Sequence, residues 1–226
     1  MDNLGAQKVK RAGGHRGCRR TPAHLPSHSP LEEAGFVFLQ SFEWGFRAMT
    51  NNVRPIERPD DVAGLRMRKL ELQAVYDALG AFPQAINFQE TYMALASDTV
   101  DGQCNPLGTV SSAKFYEVQD NLALTNHQYT ASSWLRTPRA GQSCRRSINR
   151  SSVKKEARTA ALEARAAVVQ QTEEYIGQFE AAGMTRPDVA EFRARMEPAC
   201  ARIKENRGED VFDEVIGLAE KAWQSG

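Results

Sequence analysis

Apolar residues along this chain come in short blocks separated by proline, glycine and charged turns, and the blocks alternate between two periods. Phe36-Val37-Phe38-Leu39 is an unbroken apolar run of the kind that forms a buried strand. Just before it, Leu31-Glu32-Glu33-Ala34-Gly35 reads as the end of a helix stopped by Gly35. Arg54 to Pro59 is bounded by prolines, which hold the backbone extended. Pro59-Asp60-Asp61-Val62 then suits a short helical turn, and Leu65 to Arg68 the next strand. From Leu70 to Leu79 the period changes to that of a helix, with Leu72, Val75, Tyr76 and Leu79 on one face and Gly80 as terminator. Gln84 to Asn87 is a third short strand. Gln89 to Ser97 is a helix with Tyr92, Met93 and Leu95-Ala96 turned inward. Val100-Asp101-Gly102 is a fourth strand-like element, and Ser112 to Val118 a further helix.

Ala123 to Trp134 begins as a strand, after which the pattern collapses. Residues 136–152 are rich in arginine and serine, have no period and cannot bury a face. A long helix follows from Val153 to Ala182, ended by Gly183; Pro187-Asp188-Val189 starts another through Arg193 and Met196, and Val211 to Ala222 makes the last. Residues 1–30 show neither period and read as a disordered, irregular leader, leaving 31–226 as the folded domain. Strand and helix alternating at this spacing predict an α/β fold with helices covering a sheet.

The bulk composition excludes more than it assigns. A net charge of +1 sets up no global field toward nucleic acid or a membrane surface. No run of 18 apolar residues exists, so no transmembrane helix is expected, and the basic N-terminus lacks the apolar centre of a signal peptide. Cys18, Cys104, Cys144 and Cys200 are scattered, with no paired spacing and no histidine at ligand distance, so neither metal nor cofactor is expected.

The chemistry concentrates between Arg58 and Pro106. Arg68 closes the apolar run Gly64-Leu65-Arg66-Met67-Arg68, and Asn105 closes Thr99 to Pro106. An arginine at a strand end presents a planar fork that fits a carboxylate with two parallel hydrogen bonds. In open α/β sheets ligands collect beyond the carboxyl ends of the strands, where both residues would lie. Each residue also has a plainer reading. Arg68 could pair at the surface with Asp60 or Asp61, Asn105 before Pro106 could be a turn residue, Phe88 could be core, and Arg47 could stabilise a loop. Glu90 suits a helix start, Trp44 and Tyr92 suit packing, and His127, without a visible nucleophile partner, is assigned a structural role. No P-loop, GxGxxG or GxSxG motif is present, which leaves an enzyme acting on an organic acid as the weaker class beside a binding module.

Several linked motifs resemble one family. Gly45-Phe46-Arg47, Arg58-Pro59-Asp60-Asp61-Val62-Ala63-Gly64-Leu65-Arg66-Met67-Arg68, Phe88-Gln89-Glu90-Thr91-Tyr92-Met93 and Val100-Asp101-Gly102-Gln103-Cys104-Asn105-Pro106 are similar to the solute-binding proteins of tripartite ATP-independent periplasmic (TRAP) transporters, DctP type. Lys114-Phe115-Tyr116-Glu117-Val118 and Leu124-Thr125-Asn126-His127 continue the match in order. The resemblance implies a two-lobed periplasmic-binding-protein-like fold with a hinge and long C-terminal helices, its first lobe here largely missing. It implies capture of a C4-dicarboxylate, keto acid or sugar acid in the periplasm and delivery to an ion-gradient-driven permease. Carried over residue by residue, it makes Arg68 the partner of the ligand carboxylate, Asn105 a second contact to the same end, Phe88 an apolar wall and Arg47 a further cation. Many members carry an acidic residue where this chain has Cys104. A truncated relic that binds nothing is the alternative within the same family.

Overall fold

Fifteen residues of extended backbone run through the middle of the protein, and the other strands and the longest helix are arranged around them. The computed structural model describes residues 33–69, 73–136, 150–210, 212–213 and 216–217. In chain order the strands are β1 (Val37–Asn51), β2 (Arg66–Lys69), β3 (Phe82–Ala85), β4 (Gly102–Pro106), β5 (Asn121–Ala123) and β6 (Tyr129–Arg136). The helices are α1 (Gln73–Leu79), α2 (Phe88–Ala96), α3 (Leu107–Ser112), α4 (Arg150–Ala181), α5 (Val189–Arg195) and α6 (Glu197–Arg207).

The apolar block at 36–39 marks only the start of β1. The rest mixes aromatic, small and polar residues because its two halves face different neighbours. Arg47–Asn51 lies between β4 and β5, antiparallel to both. Val37–Phe46 instead forms an antiparallel ribbon with β6, with register shifts between Phe38 and Gln40 and between Glu43 and Gly45. At the second shift Gly45 has φ +94°, a left-handed conformation that a side chain would strain. Beyond β4 the sheet continues in the order β3-β2-β4-β1-β5, with β2 parallel to both β3 and β4.

Side-chain alternation divides the core into two layers. Met49 of β1, Met67 of β2 and Cys104 of β4 pack with Val75, Tyr76 and Leu79 of α1 and with Phe192 and Met196. On the opposite face Ala48 packs with Leu95, Val100, Leu107, Val110, Phe115 and Phe179. The long α4 lies across β1, and Arg165 from it pairs with Glu43. After α4 the chain returns to the edge of β5, where Thr185 exchanges backbone hydrogen bonds with Leu122 and Leu124.

Several predicted elements shift. The third strand is Phe82–Ala85 rather than 84–87, and the fourth begins at Gly102 because Asp101 is taken by Arg66, accepting from its backbone and its guanidinium. The single helix expected over 112–118 is α3 followed by a separate turn at Phe115–Glu117, broken at Lys114, whose φ of 55° cannot continue a helix. In α2 the inward residues are Thr91, Ala94 and Leu95; Met93, expected inside, is 66% exposed. The helical i, i+3, i+4 stripe selects that face, and Met93 lies off it. The long helix and the Asp188-capped helix form close to where the periodicity places them, whereas α6 has no counterpart in the sequence pattern. The leader at 1–30, most of 136–152 and much of 211–222 lie outside the described residues.

β4 approaches β1 so closely at Gly102 that a Cβ there would sit 2.1 Å from the Thr50 carbonyl oxygen and 2.9 Å from Asn51 Cβ. Backbone cannot move aside as a flexible side chain can. Gly102→Ala is therefore expected to destabilise the protein by about 3 kcal/mol or more, read as a lowered urea midpoint, whereas Gly177→Ala, in open space, shifts it by less than about 1 kcal/mol.

Candidate functional site

Three strand segments meet at one place. β2 and β4 are parallel neighbours, so their carboxyl ends lie together. β1 crosses antiparallel with Arg47 opposite Pro106 and Ala48 opposite Asn105. Above this junction is a cavity of about 320 Å³. Arg47, Arg68, Asn105 and Phe88 all line it, so the four residues singled out from sequence converge. Tyr76 contributes from α1, and Gln128, Thr130, Ala131 and Ser132 from the approach to β6 and its first residues.

Arg68 is 3% exposed and lies on the sheet face opposite Met67. Its Nε donates to the Ile86 carbonyl at 2.9 Å, its guanidinium carbon stands 5.8 Å from the centre of the Phe88 ring, and its own carbonyl accepts from Tyr76 at 3.2 Å. Its Nη2 is buried with no hydrogen-bond partner among the described residues. Burial pushes its pKa below the ordinary arginine value, and the nearby Arg47 adds to the effect. The surface pairing with Asp60 or Asp61 does not form. Asp60 pairs with Arg195, and Asp61 accepts from the backbone of Glu57 and Arg58.

Arg47 enters from the other face of the sheet and is held by protein. Its Nε donates to Cys104 Sγ at 3.0 Å, its Nη2 to the Cys104 carbonyl and to Asn105 Oδ1 at 3.3 Å, and its Nη1 to Thr130 Oγ1 at 3.4 Å. Asn105 sits within β4 and is buried rather than in a turn. Its Nδ2 donates to Gln103 Oε1 at 2.6 Å, Gln103 Nε2 donates to Thr50 Oγ1, and Thr50 donates to Gln119 Oε1. This buried chain runs in one direction, so it fixes which way the Asn105 amide faces: oxygen toward Arg47.

Phe88 is the first residue of α2, 41% exposed, and meets Phe115 edge-on at 6.0 Å. Glu90 stands in the first turn of that helix, as expected for an acidic residue near its N-terminus. Tyr92 packs against the Ala48 layer of the core and donates to Glu117, as expected of a packing residue, whereas Trp44, expected to pack, is exposed and donates to Ser132.

Sequence reasoning missed the pairing of Cys104 with His127. The sulfur is 3.4 Å from His127 Nε2, and His127 Nδ1 is 2.6 Å from Thr125 Oγ1. The residues are separated in sequence, and only the pairing of β4 and β5 on either side of β1 brings them together. Cys104 is 2% exposed and lies behind Arg47, so the cavity meets Arg47 first. Thr130 and Ser132 were also missed; their two-residue spacing on a strand was the available signal. A second cleft, about 490 Å³, lies between the Arg58, Pro59 and Asp60 turn and α5, where Arg195 and Asp60 neutralise each other.

The family model for bacterial extracellular solute-binding protein, family 7, matches residues 26–206. The chain is 33% identical to a solute-binding protein of Verminephrobacter eiseniae, over 80% of this chain and 56% of that one. It is 31% identical to the sialic acid-binding periplasmic protein SiaP of Vibrio cholerae, over 80% and 60%. Among solved structures it is similar to the sugar acid binding protein of Advenella mimigardefordensis in complex with galactonate, with TM-score 0.77, 29% identity and coverage of 87% and 66%. The chain thus spans less than two thirds of each of these proteins, and over that span it shares the fold of the Advenella protein.

An unpartnered buried guanidinium destabilises the empty protein. Arg68→Met keeps an unbranched chain at this position and removes the charge. It is expected to raise the thermal midpoint of the ligand-free protein, a gain of about 1 kcal/mol after loss of the bond to Ile86. A lowered midpoint would show that the guanidinium is satisfied in the empty cavity.

Proposed function

We propose that this chain, which belongs to family 7 of the bacterial extracellular solute-binding proteins, binds a small hydroxylated organic acid through Arg68 and delivers it in the periplasm to a TRAP-type membrane permease. The observation that carries the reading is Arg68 itself. Its Nη2 is buried, unpartnered among the described residues, and belongs to a side chain lining the cavity. A carboxylate supplies the missing acceptor with a charge-assisted hydrogen bond. Arg47 lines the same cavity, and the described lining residues include no acid, so the local field favours an anion.

The rest of the wall gives the ligand its character. Gln128, Thr130 and Ser132 offer an amide and two hydroxyls on one side, and Phe88 an aromatic face on the other. Hydroxyl groups along the ligand would meet the first set, and its carbon backbone the second. A sugar acid satisfies both better than an unsubstituted dicarboxylate. The galactonate complex of the Advenella protein supports that choice. The β1–β6 ribbon supplies the hydroxyls while β2 and β4 supply the cation and the amide. A ligand touching both parts stabilises their approach, which is how closure is biased by binding.

The test is a thermal-shift and calorimetric panel of galactonate, sialic acid and succinate. An acid present at about 100 times its Kd stabilises the protein by about 2.7 kcal/mol. Arg68→Lys, which keeps the charge but loses the fork, is expected to weaken binding by about 100-fold. If no acid moves the midpoint of well-folded protein, the non-binding alternative prevails; if an acid is consumed, the chain is an enzyme.

A further inference from the structure

We propose that Cys104 is a specificity-determining residue of the cavity: its sulfur takes the Arg47 fork from behind, so loss of the thiol proton cancels one of the two positive charges offered to an anion. The inference rests on the binding reading above and extends it to how much negative charge the cavity accepts. With a thiol, both guanidiniums present their full charge to the ligand. With a thiolate, the charge of Arg47 is balanced from within the protein. The proton goes to solvent and the electron pair stays on sulfur.

The geometry supports this in three ways. Cys104 Sγ is an acceptor for Arg47 Nε at 3.0 Å, and the Cys104 carbonyl holds Nη2 of the same group, so the two residues are locked together. His127 approaches the sulfur at 3.4 Å and is itself oriented by Thr125. The cavity lies beyond Arg47, and there the buried Arg68 has an unpartnered Nη2. Among the described residues, the charged and titratable groups around the sulfur are therefore Arg47 from β1, Arg68 from β2, Tyr76 from α1 and His127 from the segment after β5. Phe192 of α5 covers the imidazole and adds no charge.

These neighbours decide the titration. Burial raises the Cys104 thiol, but the charges of His127 and Arg47, with their hydrogen bonds, outweigh it and bring it down to about 7. Burial pushes Tyr76 upward, so its phenol stays neutral and does not compete. The sign follows: as pH rises through neutrality the cavity loses one positive charge, and anion affinity falls. By linkage a bound anion raises the thiol in return.

The experiment uses the full chain with Cys18, Cys144 and Cys200 changed to serine, leaving Cys104 as the one thiol. Thiolate absorbance against pH is expected to show a midpoint near neutrality, moving upward in Arg47→Gln and, in the parent chain, upward when galactonate is bound. Galactonate, whose carboxylate stays ionised throughout, is then titrated by calorimetry, and its Kd is expected to rise about tenfold between about pH 6 and about pH 8. In Cys104→Ser, close in size and without a titrating proton, Kd is expected to be flat over the same range. A thiol that stays protonated beyond about pH 9 overturns the proposal. So does a wild-type Kd independent of pH, or a pH dependence that survives in Cys104→Ser and vanishes in His127→Gln. If no acid of the panel binds at any pH, the binding reading fails and the tuning role falls with it, while the absorbance titration still reports whether sulfur and Arg47 pair as ions.

Discussion

The register of β1 against β4 is the constraint on which the site depends. With Ala48 opposite Asn105 and Met49 opposite Cys104, Arg47 falls on the same sheet face as the cysteine sulfur. A slip of one residue would carry it to the other face, exchanging Arg47 and Met49 for Ala48 and Thr50. Two features hold the register. Gly102 lets the backbones approach, and the hydrogen-bond chain from Asn105 through Gln103 and Thr50 to Gln119 locks the two strands on their other face. Because β1 crosses the junction antiparallel and does not end there, it continues into the ribbon with β6. That continuation brings Thr130 and Ser132 to the same cavity.

The fold treats its polar interior unequally. Gln103, Thr50, Gln119 and Asn105 are buried, and each finds a partner within the protein. Satisfied in this way they lose little on burial and gain rigidity. Arg68 does not share that treatment, since its Nη2 is buried without an acceptor among the described residues. Asn51 Nδ2 is also buried without a partner among the described residues, but Arg68 differs in lining the cavity. In the proposed reading, stability and binding pull in opposite directions at Arg68.

Much of this is legible in the sequence, for identifiable reasons. Arg68 and Asn105 each close a short apolar run, and strand ends are where α/β folds place ligands. The helix over Gln73–Leu79 and the long α4 follow from periodicity, which needs no tertiary knowledge. The failures share one cause. Met93 is apolar, but the stripe that packing selects passes it by; residues 40–51 carry no single strand pattern because each half of β1 has its own partner. Cys104 and His127 cannot be joined from sequence at all, since their contact exists only through strand order. Local pattern reports elements; pairing decides which chemistry meets.

The two arginines therefore have different physical positions although they line one cavity. Arg47 is engaged by Cys104, Asn105 and Thr130, acceptors contributed by β4 and β6, so its fork is held in place before any ligand arrives. Preorganisation of that kind lowers the entropy lost on binding. Arg68 is anchored through Nε on Ile86 and over the Phe88 ring, with Nη2 left over. Two guanidiniums this close repel, and Arg68 is made harder to charge by burial and by Arg47, as its lowered pKa records. In the proposed reading, an entering carboxylate offsets the cost of burying the Arg68 charge and screens it from Arg47. The charge that Arg47 presents to that ligand is then set by the group already sharing its fork from behind, the sulfur of Cys104.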